Sequence, residues 1–145
     1  RRPSIMASIL KVDALQGVTA AGSILVTGEG NSTTTNLQQG LAKQWSYVND
    51  TGTSAIIDSF NTTSWTDNGT GNGTVNIASN MGNVTYNISV STNADNGGIN
   101  RTCGVFTDGS GTTSTAGLYR ISRYIITGNS LEDGFFYSNT LGDLA

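Results

Sequence analysis

Any chemistry in this 145-residue chain must come from ten carboxylates, seven Lys and Arg, one thiol and the aromatic side chains, because the sequence contains no histidine. Without imidazole there is no Ser-His-Asp triad, no Cys-His pair and no His-containing zinc site. The single cysteine, Cys103, excludes an internal disulfide and a multi-cysteine metal cluster. It lies in the strand-like run Arg101-Thr102-Cys103-Gly104-Val105-Phe106 and reads as a buried structural thiol. The two glutamates, Glu29 and Glu132, have Gly-flanked or loop-like neighbours. Asp13, Asp50, Asp58, Asp67, Asp95, Asp108, Asp133 and Asp143 fall mostly in turn sequences, where an aspartate side chain stabilises the turn itself. General acid–base work needs carboxylates in unequal environments, and nothing in these spacings supplies such a pair. Asp67 to Asn72 and Asn93 to Gly97 offer oxygen ligands, but neither has the spacing or the terminal glutamate of an EF-hand loop. The expectation is a non-enzymatic protein with no catalytic residues, no cofactor and no metal.

Composition narrows the classes further. Apolar residues make up 36% and charged residues 12%, about half the usual charged share, so the polarity is carried by Gly, Ser, Thr and Asn. The basic residues form no cluster, which leaves no footprint for nucleic acid. No apolar run approaches about 18 residues, so no membrane insertion is expected. Arg1 to Ser8 lacks a sustained apolar stretch and does not read as a signal peptide, while Met6-Ala7-Ser8 reads as a translation start. Asn-x-Ser/Thr triplets begin at Asn31, Asn49, Asn61, Asn68, Asn72, Asn83, Asn87 and Asn100, and a chain this rich in Asn, Ser and Thr produces them by composition.

Recognition is the remaining chemistry. An aromatic ring among Asn, Ser and Thr side chains suits a sugar, which offers an apolar face and hydroxyls together. Trp65, Tyr47 and Asn68 are the surface-recognition candidates, against the alternative that most large aromatics serve the core or a subunit interface. Arg120 and Arg123 stand at odd spacing in one strand and point to opposite faces, so one of them is expected inside the sheet or at an interface, paired with a carboxylate such as Asp58.

These residues are positioned by an organisation in three parts. Residues 1–35 carry two short apolar pieces, Ile9-Leu10-Lys11-Val12 and Ser23-Ile24-Leu25-Val26, too few to make a core, and read as an extended N-terminal arm for assembly. Residues 36–45 read as a short helix or latch, with Leu37, Leu41 and Trp45 at four-residue spacing and Gly40 weakening it by about 1 kcal/mol. In residues 46–145 the period becomes two. Trp45 to Val48 and Thr53 to Asp58 flank the turn Asn49-Asp50-Thr51-Gly52, and Phe60 to Trp65 and Thr74 to Ala78 flank Asp67-Asn68-Gly69. Val84, Tyr86, Ile88 and Val90 alternate with polar residues, Leu118 to Ile126 forms a long strand, and Phe135-Phe136-Tyr137 a last short one. The fold class is all-β, an antiparallel β-sandwich of jelly-roll type with an N-terminal arm and one short helix.

Three stretches carry a resemblance: Met6 to Gln16, Gly30 to Lys43, and Asp58-Ser59-Phe60 through Thr66-Asp67-Asn68-Gly69-Thr70-Gly71. They resemble small virion structural and tail-fibre proteins of marine tailed bacteriophages, cyanophages included. In that family a short N-terminal arm precedes a β-rich domain, and Ser64 to Gly71 followed by Thr74 to Ile77 resembles its recurring hairpin, with Trp65 in place of an aliphatic residue. The likeness spans roughly residues 6–92 and implies a place on the virion surface.

An arm without its own core, together with polar but uncharged strands that repel little, points to self-association, most simply as a homotrimer. Ile9, Leu10, Val12, Ile24, Leu25, Val26, Leu37, Leu41 and Trp45 are the expected assembly residues. The expected function is a tail- or head-attached fibre that contacts the host surface. The alternatives are a capsid decoration protein that latches coat subunits and a carbohydrate-binding module. Expected partners are further copies of the chain, other virion proteins of the coat, portal or tail, and a host surface glycan.

Overall fold

The computed structural model describes residues 11–17, 24–27, 34–93, 100–106 and 114–144. The chain divides into two compact units, Arg1–Leu37 and Gln38–Ala145. In the first, β1 (Leu25–Thr27) pairs antiparallel with β2 (Thr34–Asn36), Leu25 opposite Asn36, and the backbone N–H of Leu37 donates to the carbonyl of Ile24. Within the expected arm the described residues form this small ladder, with side chains open on both strands. Ile9 and Leu10 lie outside the described residues.

The expected helix over 36–45 is also corrected. A single helical turn, α1 (Leu37–Gly40), is followed at once by β3 (Ala42–Asn49). Gln44, Ser46 and Val48 alternate inward along this strand, and its backbone is paired on both edges, which a helix through Trp45 would forgo.

The second unit continues with β4 (Ala55–Phe60), β5 (Thr62–Asp67), β6 (Asn72–Ile77), β7 (Asn87–Thr92), β8 (Arg101–Val105), β9 (Ser114–Thr115), β10 (Leu118–Ile125), β11 (Ser130–Leu131) and β12 (Phe135–Leu141). One antiparallel sheet runs β4-β3-β12-β7. The other runs β11-β10-β6-β5, with β8 and β9 also paired to β10. The two pack together as a sandwich-like all-β structure. Two turns carry the expected chemistry. Gly52 closes β3 onto β4 at φ +71°, and Gly69 and Gly71 take φ +106° and +67° between β5 and β6. Asn61 makes the single-residue corner between the two sheets at φ +54°, a conformation asparagine tolerates. Its amide fastens that corner, donating to the carbonyls of Lys43 and Ser79 while Oδ1 accepts from the Ser79 N–H.

Between the sheets lie Val48 and Phe136 from one side, Val75, Ile77, Tyr119 and Ile121 from the other, and Met81 beside them. This apolar set is small, and the interior is completed by polar side chains. Gln44, Ser46, Ser138 and Thr140 are buried with it. The Tyr119 hydroxyl lies 2.8 Å from Gln44 Oε1 and 2.7 Å from Ser138 Oγ, which is 2.7 Å from Ser46 Oγ. Counting protons fixes the direction. The amide oxygen of Gln44 only accepts, so Tyr119 donates to it; Ser138 then donates to Tyr119, and Ser46 to Ser138. Gln44 Nε2 passes the chain on to Thr62 Oγ1 at 2.9 Å.

Candidate binding face

The registers place the outward residues of the four-stranded sheet in rows. One row reads Phe60, Trp45, Asn139, Ser89 across β4, β3, β12 and β7, and the next reads Asp58, Tyr47, Tyr137, Ser91. Asn49 and Phe135 follow on the central pair, and Leu141 stands opposite Asn87. Alternation along each strand dictates this: Ser46, Val48, Phe136, Ser138 and Thr140 point inward, so the residues between them point out. The outer face is thus aromatic along its two central strands and hydroxyl-lined along β7.

The rings form a continuous surface. Tyr47 and Tyr137 stack with centroids 4.6 Å apart and planes at 8°, and Phe135 lies 5.8 Å from Tyr47. Tyr137 stands opposite Ser91 on its other side, and it remains 39% exposed, as Trp45 does at 38%. An open groove of about 470 Å3 runs over this region, lined by Trp45, Tyr47, Asp58, Ser89, Ser91 and Asn139 among others. Its volume falls within the usual range for small-molecule sites. Among the described residues Asp58 is the one formal charge in that lining. Its Oδ1 accepts from the Ser59 N–H at 2.8 Å, which holds the carboxylate at the rim. The phenol of Tyr137, through a hydrogen bond, pushes the Tyr47 hydroxyl above its ordinary range, so Tyr47 stays a neutral donor and acceptor at physiological pH. Such a face can stack against a flat apolar ring and hydrogen-bond around its edge.

Tyr47, a recognition candidate from the sequence, lies on this outer sheet face, and Trp45, expected to serve assembly from a helix, lies on the same face. Trp65 does not. It faces inward opposite Val75, lies 5.1 Å from the Phe136 ring, and donates its indole N–H to Asp50 Oδ1 at 2.8 Å. The expectation of a surface role for Trp65 is corrected for that reason: Gly73 opens the space its ring occupies, since a Cβ there would come within 1.8 Å of Cζ2. Asn68 is exposed in the β5–β6 turn, where its amide donates to Thr74 Oγ1 at 2.7 Å. Of the remaining assembly candidates, Val12, Leu25, Val26 and Leu41 are exposed, and Ile24 and Leu37 are half-buried. Asn139 is the residue the sequence does not point to, because the last strand reads from the sequence as ending at Tyr137.

The other charged constellation sets two buried arginine side chains on a partly exposed carboxylate and is structural. Arg123 is the inward arginine of β10, as the odd spacing required, but its partner is Glu132 at 2.9 Å and not Asp58. Its Nε donates to Thr92 Oγ1 at 2.8 Å, and its guanidinium lies over Gly134, where a Cβ would come within 2.3 Å. Arg101 binds the same Glu132 carboxylate with both Nε and Nη2. These arginines, Arg101 foremost, hold the Glu132 carboxyl below its usual range. Asp133 Oδ1 accepts from the Gly71 N–H at 2.6 Å and ties the β5–β6 turn to this cluster. Cys103, on β8, is half-buried, and burial pushes its thiol up, away from the reactive thiolate. Among the described residues no group of three or more Asp, Glu or Cys is placed to hold a metal ion.

Compared with protein-family models, with curated proteins and with solved structures, the chain matches none.

Proposed function

We propose that the chain is a non-enzymatic structural protein of a bacteriophage virion, a small surface or fibre protein that self-associates as a trimer and meets the host surface through the outer face of its four-stranded sheet. The observation that carries the contact role is the uncharged aromatic surface of Trp45, Tyr47 and Tyr137 bordered by Ser89, Ser91 and Asn139. Exposed rings gathered in one patch of this kind favour a contact surface. A host surface glycan is the partner whose chemistry fits. The virion assignment rests on the resemblance read in the sequence over roughly residues 6–92. Topology supports a jelly-roll reading: the first and last long strands, β3 and β12, lie side by side in the middle of one sheet while the chain between them crosses to the other. Self-association is supported by Val12, Leu25 and Val26, apolar side chains left open in the first unit.

The test is in two measurements on the full chain. Light scattering is expected to return three times the chain mass, and a well-folded monomer overturns the trimer. Binding to host cells is expected to be lost in a Trp45→Ala/Tyr137→Ala variant whose melting temperature is unchanged. Undiminished binding by that variant overturns the sheet-face role. A capsid decoration protein remains the second reading for the same exposed apolar residues, and counting copies per purified particle separates the two: tens or fewer for a fibre, on the order of hundreds for decoration.

A further inference from the structure

The groove's charge pattern narrows what it can take. Its lining presents indole and phenol rings, serine hydroxyls and the Asn139 amide, and among the described residues its one formal charge is the Asp58 carboxylate. A glycan bearing uronate or sialate groups needs a guanidinium or ammonium to receive them. Among the described residues the lining has neither, and it sets a carboxylate of the same sign in the row of Tyr47 and Tyr137. A carboxylate only accepts, so the natural complement of Asp58 is a pair of neighbouring hydroxyl donors. The same ligand must offer an apolar face to the rings. From Asp58 on β4 to Ser91 on β7 the row spans three inter-strand steps, about 14 Å, longer than a single sugar ring.

We propose that this groove binds an uncharged hexopyranose chain, with ring C–H faces laid on Trp45, Tyr47 and Tyr137 and vicinal hydroxyls donated to Asp58, and that it excludes acidic glycans. The proposal rests on the glycan-contact reading above and adds the ligand's charge class and the residue that sets it. Asp58 here is a specificity residue on an exposed edge strand, so its replacement leaves the core untouched.

The experiment is affinity electrophoresis of the full chain in gels containing soluble neutral glucan, mannan or galactan, and in parallel gels containing polygalacturonate or alginate, at low and high salt. Retardation is expected in at least one neutral gel, unaffected by salt, and absent from the acidic gels. Asp58→Asn is expected to weaken the neutral interaction about tenfold, the scale of losing hydrogen bonds to a charged group, with an unchanged melting temperature. Stronger retardation by the acidic polymers that Trp45→Ala abolishes overturns the charge selectivity while leaving the contact face standing. Wild-type affinity in Asp58→Asn overturns the role of that carboxylate. No retardation in any gel overturns both this proposal and the glycan-contact reading beneath it.

Discussion

Tyr119 and Ser138 meet across the interior, hydroxyl to hydroxyl at 2.7 Å, and in doing so join the central strands of the two sheets, β10 and β12. Sandwich interiors are ordinarily joined by apolar contact. Here the joint belongs to a one-directional series from Ser46 through Ser138 and Tyr119 to Gln44 and Thr62. Each member polarises the next in a low-dielectric setting, so the series is stronger than its separate bonds and more exposed to a single deletion. Burial pushes the Tyr119 hydroxyl far above its ordinary range, which keeps it a donor at every physiological pH.

Tyr119→Phe is accordingly expected to lower stability by about 1–3 kcal/mol, because Gln44 Oε1 loses its donor and Ser138 its acceptor while both stay buried. Chemical denaturation measures it. The double variant Tyr119→Phe/Ser138→Ala should cost clearly less than the sum of the two single changes, since it removes both ends of one bond. Additive costs would show that the series does not act as a unit.

Gly73→Ala tests the seat of Trp65. The added Cβ would stand 1.8 Å from the indole ring, and the ring has Phe136 on one side and Asp50 at its N–H. Displacement of a packed aromatic of this kind costs about 1–3 kcal/mol. The expected outcome is a lower melting temperature together with a red shift of tryptophan emission, measured in a Trp45→Phe background so that Trp65 reports alone. Unchanged emission would mean that the indole is not held where Gly73 and Asp50 place it.

Much of this architecture is legible in the sequence, and the part that is not has one physical cause. Turn chemistry marks both hairpins, since Gly52, Gly69 and Gly71 stand where positive φ is required. The odd spacing of Arg120 and Arg123 already sends one guanidinium inward. The alternation from Tyr86 to Val90 places β7, although Val84, the first apolar residue of that series, precedes the strand and is 57% exposed. What apolar periodicity cannot show is a strand whose buried face is made of hydroxyls. Ser138 and Thr140 are as buried as Phe136, yet in the sequence they read as the fading of a strand, so a central element of the fold looks like a terminal scrap. The same blindness turns Leu37, Leu41 and Trp45 into a helical face, because the inward residues Gln44 and Ser46 carry no apolar signal to mark a strand. The binding face was half legible for this reason. Tyr47 and Tyr137 stand out as aromatics, whereas Asn139 depends on the extent of β12.

Arg123→Met addresses the interior ion cluster. Arg123 is 2% exposed and serves Glu132, Thr92 and the carbonyl of Asp133 at once. Arg101 continues to neutralise Glu132 in the variant, so the cost is expected near the lower end for breaking a buried pair, roughly 3 kcal/mol. Arg123→Lys is expected to recover little of it, because one ammonium cannot reproduce a planar fork spread over three acceptors. Urea melts of both variants measure this, and full rescue by lysine would show that charge alone suffices.

The pH dependence of stability should carry two opposing contributions. Glu132 has a folded value below its unfolded one, so the stability it adds is complete above the unfolded value and is lost as pH falls through the folded one. Asp50 behaves oppositely. It is 2% exposed, its Oδ2 has no partner, and burial pushes its carboxyl up against the hydrogen bonds from Ser54 and Trp65, with Asp67 and Asp133 adding to the rise. Its contribution is therefore complete below the unfolded value and is lost as pH rises through the folded one. In Asp50→Asn the side-chain oxygen still accepts from Ser54 and from the Trp65 indole while the buried charge is gone. This variant is expected to be more stable than the parent at neutral pH and to converge with it in acid, whereas Glu132→Gln is expected to be less stable at neutral pH and also to converge in acid. Denaturation midpoints followed from acid to neutral pH decide between these signs, and an Asp50→Asn curve parallel to the parent's throughout would show that the Asp50 carboxyl titrates alike in the folded and unfolded chain.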